Sequence, residues 1–115
     1  MGVSTDAIIA YGVELPEDQM DNIDNIVGGE EEEKLNEQGL AIVYHCSDEY
    51  PMAILAVKDT VIRAWRGSPV EIRREDLHRP LGVNWDQRLD DALVDLDIEM
   101  DPDYEPMWLL FSWWG

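Results

Sequence analysis

His45-Cys46 is the couple in this chain whose chemistry most invites attention: an imidazole beside a thiol, with Asp48 two residues on. A cysteine nucleophile needs a base within hydrogen-bond reach and an acid to orient that base. Neighbouring residues on a strand point to opposite faces, so His45 reaches Cys46 only across a bulge. The plainer expectation is a packed cysteine and a hydrogen-bonded histidine. His78 could act as a base only if the fold carried it across the molecule. A second pattern sets an acid at every other position: Asp95, Asp97, Glu99, Asp101, Asp103 and Glu105. Calcium loops use this alternation but need glycine at the sixth place and glutamate at the twelfth. Counting from Asp95 puts Met100 at the glycine place, and counting from Asp97 puts Pro102 there. A solvated acidic loop is therefore expected. The chain holds no glycine-rich phosphate loop, paired-histidine metal motif or nucleophile elbow. The residues point away from an enzyme and imply no cofactor and no metal.

The third pattern is the charge itself. The formal net charge is −18 over 115 residues. Residues 14–38 hold ten acids against Lys34, and residues 84–115 hold nine acids against Arg88. Residues 39–83 carry six acids and six bases and are neutral. Charge this dense repels itself and lowers folding stability, so two polyanionic blocks around a neutral middle imply a cationic partner. The residues expected to meet it are Glu30, Glu31, Glu32 and Glu33 in the first block, and Asp86, Asp90, Asp91, Asp95 and Asp97 in the second. On a helix, carboxylates four residues apart lie about 6 Å apart along the axis. That is on the order of the spacing between phosphates of one nucleic-acid strand. Asp86/Asp90 and Asp91/Asp95 make two such pairs, each costing a few tenths of a kcal/mol in repulsion.

These residues need a scaffold. The length fits one domain over 1–115, able to bury about two-thirds of its unfolded surface. An apolar content of 45% with five tryptophans supports an ordered core. The single Cys46 excludes an internal disulfide and a multi-thiolate zinc site. No basic stretch leads into a long apolar run, so no signal peptide is expected, and no window approaches the roughly 18 apolar residues of a membrane span. Anionic lipid and nucleic acid would both be repelled.

Residues 7–13 read as a buried strand, and 16–29 as a loop rich in Pro, Asp, Asn and Gly. Glu30–Gln38 can form a short helix closed by Gly39, with Glu30 and Lys34 as an i,i+4 pair. Residues 40–46 read as a strand. Residues 52–57 and 60–66 read as a hairpin turned by Lys58-Asp59. Ile72–Leu77 can make a helical turn. Asn84 and Gln87 resemble a capping box opening a helix that ends near Leu96, with Leu89, Ala92, Leu93 and Leu96 on its apolar stripe. Residues 107–114 read as a strand inside the sheet, with Trp108 and Phe111 in the core. The expected fold is α+β: a mostly antiparallel sheet of four or five strands with one main helix, about 84–96, packed on a face.

The stretch Gly39 to Met52, with its His45-Cys46-Ser47 and Tyr50-Pro51-Met52, resembles a group of small acidic proteins encoded by tailed bacteriophages. Ile54–Val57, Arg66-Gly67-Ser68-Pro69, the opening Ser4–Ile8 with Tyr11-Gly12, and the closing Trp108-Leu109 with Trp113-Trp114-Gly115 are similar to the same group. The likeness spans about half the chain. It implies a phage gene acting in bacterial cytoplasm and brings no catalytic residues with it.

Charge and resemblance together lead to an interaction protein that occupies a basic surface of a host protein. A nucleic-acid-binding host protein is the expected target, and an inhibitor that mimics DNA, of anti-CRISPR or related type, the expected role. Two readings stand beside it. In one the acids only keep a small domain in solution. In the other the protein is a phage structural or assembly accessory that binds through its sheet edge or its Trp-rich C-terminus.

Overall fold

A computed structural model of the chain describes residues 5–47, 51–65, 67–78 and 84–114. The strands are β1 (Thr5–Glu14), β2 (Leu40–Ser47), β3 (Pro51–Val57), β4 (Ile62–Ala64) and β5 (Met107–Trp114). The helices are α1 (Met20–Ile26), α2 (Glu30–Glu37), α3 (Arg74–His78) and α4 (Trp85–Asp95). The α+β class stands. Four helices among the described residues replace the single main helix expected, and the sheet is mixed.

Strand order is β3-β2-β5-β1-β4, and β3 also pairs with β1. The ladder thus runs from β1 to β3, β2, β5 and back to β1, so the sheet curls into a small barrel with short-range closure. The β2–β5 link is parallel and joins only Cys46 to Trp113 and Ser47 to Trp114, while the other pairings are antiparallel. Alternation along the strands then separates two apolar layers. Ala10, Ile54 and Ala56 turn inward with Val43, Leu109 and Phe111 packed on them. Val13, Leu55 and Val57 turn outward and meet Ile23, Ile26, Leu35, Leu89 and Leu93 from the helices. β3 is buried on both faces, which is why its sequence is an unbroken apolar run.

The expected hairpin does not form. β3 and β4 lie one after the other along the same edge of β1, Gly12 opposite Ala56 and Ile9 opposite Ile62. Lys58–Thr60 makes one turn of 3-10 helix between them. Thr60 is the cause. Its hydroxyl donates to the Val57 carbonyl at 2.6 Å and accepts from the Tyr11 N–H at 2.9 Å. A side chain therefore replaces the ladder bond that the interrupted strand cannot supply, and the chain runs on without reversing.

The segment expected to be a loop contains α1. Ile23 and Ile26, three residues apart, point into the core, and Asn22 Nδ2 donates to the carbonyls of Leu96 and Asp97 at 3.3 and 3.4 Å. Gly39, at φ +79°, closes α2 as its sequence promised. Asn84 stands at the head of α4 without a side-chain cap bond, and Gln87 reaches forward to Asp91 at 2.8 Å instead of back.

Candidate functional site

The helices of both acidic blocks pack in one layer. The core residues of α1 and α2, and those of α4 with Ile98, pack on the same outer face of the sheet. The neutral middle supplies β2, β3, β4 and α3. Between α2 and α4 runs a groove of about 540 Å³ lined by Glu37, Gln38, Arg88, Asp91 and Asp95. It continues past Glu31, Lys34 and Leu35. Glu31 of the first block and Asp91 and Asp95 of the second are thus brought together, and Glu37 joins them. The sequence reading passed over Glu37, although its place one turn after Glu33 on the acidic helix could have signalled it.

Lys34 and Arg88, the one base of each block, also line this groove. Among the described residues neither forms an ion pair with a carboxylate; the ion pair present is Arg63 with Asp6 at 3.9 Å. Arg88 donates to the Gln38 carbonyl at 3.5 Å, which ties α4 to the end of α2. The expected Glu30–Lys34 pair is not made. Glu30 and Glu33 are exposed and lie outside the groove, and Glu32 turns back to accept the Gly28 N–H at 3.2 Å.

Asp86 and Asp90 are not with the others. At 100° per residue the pair sits about 140° around the helix from Asp91 and Asp95. Each accepts a tyrosine hydroxyl: Tyr11 donates to Asp86 at 2.7 Å, and Tyr104 makes a short bond to Asp90. A third bond of this kind joins Tyr44 to Asp24 of α1 at 2.9 Å. Burial, then the Asp86 bond, pushes the Tyr11 hydroxyl up to about 12. Burial and Asp24 do the same for Tyr44, with Glu32 adding to the effect, to about 12. For Tyr104 the Asp90 bond leads and burial follows, again to about 12. These phenols stay protonated and act as donors. Tyr11 of β1 and Tyr44 of β2 clasp the helices to the barrel, and Tyr11 and Tyr104 hold Asp86 and Asp90 in place. Asp97 is exposed at φ +55°, just past α4, where its carbonyl holds Asn22. The two expected pairs therefore lie on different flanks of α4, and only Asp91 and Asp95 line the groove.

His45 lies on the inward side of β2, its ring 5.1 Å from that of Phe111. Its Nε2 is buried without a hydrogen-bond partner among the described residues, a departure from the hydrogen-bonded histidine expected. Burial pushes its pKa below the usual value, against a smaller opposing pull from Glu14. Cys46 takes φ +77°. Asp48 lies outside the described residues, as do the side chains of His78 and Trp114. Trp108 is half-buried, edge-on to Tyr11, and donates to the Leu77 carbonyl at 3.1 Å. Among the described residues, no three His, Cys, Asp or Glu side chains are placed to share a metal ion, and no helix is long and apolar enough to cross a membrane. Comparison of the chain with protein-family models, curated proteins and solved structures gives no match.

Proposed function

We propose that this is a phage-encoded interaction protein that presses its acidic helix layer onto a basic surface of a host protein. The surface would be one that otherwise holds nucleic acid, in a defence complex of the kind anti-CRISPR inhibitors block or in another nucleic-acid-processing assembly. The observation that carries the reading is the meeting of Glu31 and Glu37 with Asp91 and Asp95 across the α2–α4 groove. Carboxylates from two distant stretches of chain share one surface there, at a cost in repulsion that a cationic partner would reverse. Lys34 and Arg88 also line the groove, and the Arg88 bond to the Gln38 carbonyl helps set the position of α4. The mimicry rests on Asp91, Asp95, Glu31 and Glu37; Asp86 and Asp90, held by tyrosines, supply field more than contact.

The test is capture of partners from bacterial lysate by the purified protein at about 50 and 300 mM salt, a range over which exposed charges become screened. Nucleic-acid-binding proteins should be enriched at the lower salt and released at the higher. Glu31→Gln, Asp91→Asn and Asp95→Asn together should abolish that capture without unfolding the domain. Retention of the same partners by the triple variant refutes the reading. The accessory reading has one observation on its side: on the outer face of β5, Leu110 is 78% exposed, next to Ile9 of β1. Under it, partners would be kept at high salt and lost with Leu110→Ser.

A further inference from the structure

The barrel is closed along most of its circumference and open along one edge. β2 has β3 on one side, from Leu40 opposite Val57 to Cys46 opposite Pro51. On its other side it meets β5 only at Cys46 and Ser47. No described strand lies against that edge from Leu40 to His45. The Gly39 carbonyl accepts the Lys58 N–H at 2.8 Å, which fixes the phase of the antiparallel ladder. Hydrogen-bonded pairs then alternate along it, so Ala41, Val43 and His45 spend their backbone groups on β3. The bond from Leu15 N–H to the Ala53 carbonyl at 2.9 Å, on the far side of β3, agrees with this phase. Leu40, Ile42 and Tyr44 are left with N–H and C=O directed to the open side.

Beside this edge lies a depression of about 470 Å³ lined by Ile42, Val43, Tyr44, Val61, Arg63 and Trp113. Its two sides differ in chemistry. Val43 belongs to the inward apolar layer, with Val61 and Phe111 in the same layer. Tyr44 belongs to the helix side, where it holds Asp24 and feels the charge of Glu32. A strand laid along β2 would alternate between these two sides.

We propose that the open edge of β2 takes an extended segment of the partner protein as an added strand, with apolar residues turned toward Val43 and Val61 and basic residues toward Asp24 and Glu32. Main-chain bonds to Ile42 and Tyr44 hold the segment, and the alternating side chains select it. An unpaired, largely apolar edge is otherwise a liability for aggregation. The basic half of this partner rests on the acidic-layer reading above; the added strand does not.

The test uses the intact protein and a six-residue peptide, acetylated and amidated, alternating lysine and valine. Binding is followed by calorimetry and by hydrogen exchange of single amides. On binding, the Ile42 and Tyr44 amides should slow their exchange, while those of Val43 and His45, already bonded to β3, should not change. N-methylation of the peptide amides of one parity should weaken binding about tenfold or more, since it removes main-chain bonds to Ile42 and Tyr44 and the methyl groups block approach. Methylation of the other parity should leave it within about twofold. A threonine-valine peptide should bind more weakly yet protect the same two amides. Equal tolerance of both methylated peptides, or binding with no protection at Ile42 and Tyr44, overturns the added strand. So does a dimer of the protein alone in which those amides are already protected. If the acidic reading fails by itself, lysine-valine and threonine-valine peptides bind alike and still protect the edge. If the edge fails by itself, a salt-sensitive complex remains with unchanged exchange at both amides.

Discussion

Gly12 sits in the barrel where an added side chain has no room. It faces Met107 of β5 on one side and Ala56 of β3 on the other. A Cβ built on it would stand 2.1 Å from the Leu55 carbonyl oxygen and 2.8 Å from the Ala56 Cα. Both obstacles are backbone, so no side chain can swing away, and β3 would have to retreat by about 1 Å to restore an ordinary contact. Overpacking of this kind costs about 1–3 kcal/mol, and more where nothing can yield. Gly12→Ala is expected at or above about 3 kcal/mol, a large part of the roughly 5–15 kcal/mol that holds a domain together. For a chain of this length that is a fall in Tm on the order of 12 °C. Gly39→Ala is the control: no atom lies within 4 Å of its Cβ position, and its cost comes only from φ +79°. That conformation costs an alanine about 1–2 kcal/mol. Urea unfolding followed by tryptophan fluorescence and circular dichroism measures both. If Gly12→Ala is less destabilising than Gly39→Ala, the close crossing of β1 and β3 is not what the barrel depends on.

Other expectations follow from the titrating groups. Tyr11, Tyr44 and Tyr104 have folded pKa values raised from 10.0 to about 12, so their bonds stabilise fully below pH 10 and are lost as pH rises through 12. Each Tyr→Phe change should cost about 0.5–1 kcal/mol at neutral pH, since the pairs are partly solvated, and the triple variant should lose the wild-type decline between those limits. His45 is displaced the other way. Its contribution is present above the ordinary value of 6.5 and is lost as pH falls through its lower folded pKa. Stability against pH should therefore drop on acidification in the wild type and drop less in His45→Gln, with the folded pKa read from the ring protons by NMR.

The strands β1, β2, β3 and β5 were legible as apolar runs, and α2 and α4 as patterned segments with recognisable ends. What was not legible depended on contacts far along the chain. α1 hid behind Asp and Asn, poor helix formers, and exists because Ile23 and Ile26 have a sheet to cover. The apparent hairpin failed because the Thr60 hydroxyl stands in for a backbone group opposite Tyr11, 49 residues away. Nothing in a local pattern announces the parallel contact of Cys46 with Trp113 that closes the barrel. The candidate site divides in the same manner. That the acids fall in two blocks was readable; that α2 and α4 bring some of them to one groove, and which of them remain at liberty, was not. Asp86 and Asp90 are claimed by Tyr11 and Tyr104, and the identity of those claimants is a property of the fold.

The crowding of acids on the helices also gives the molecule a direction. With the acids of α1, α2 and α4 carried by helices that pack on one face of the sheet, the molecule bears much of its negative charge off-centre. Near a positively charged object it turns before it touches, presenting α2 and α4 first. Orientation, ordinarily the slow part of docking, is then largely accomplished during the approach. Moving the same number of acids to the barrel side would keep the net charge and lose the aim.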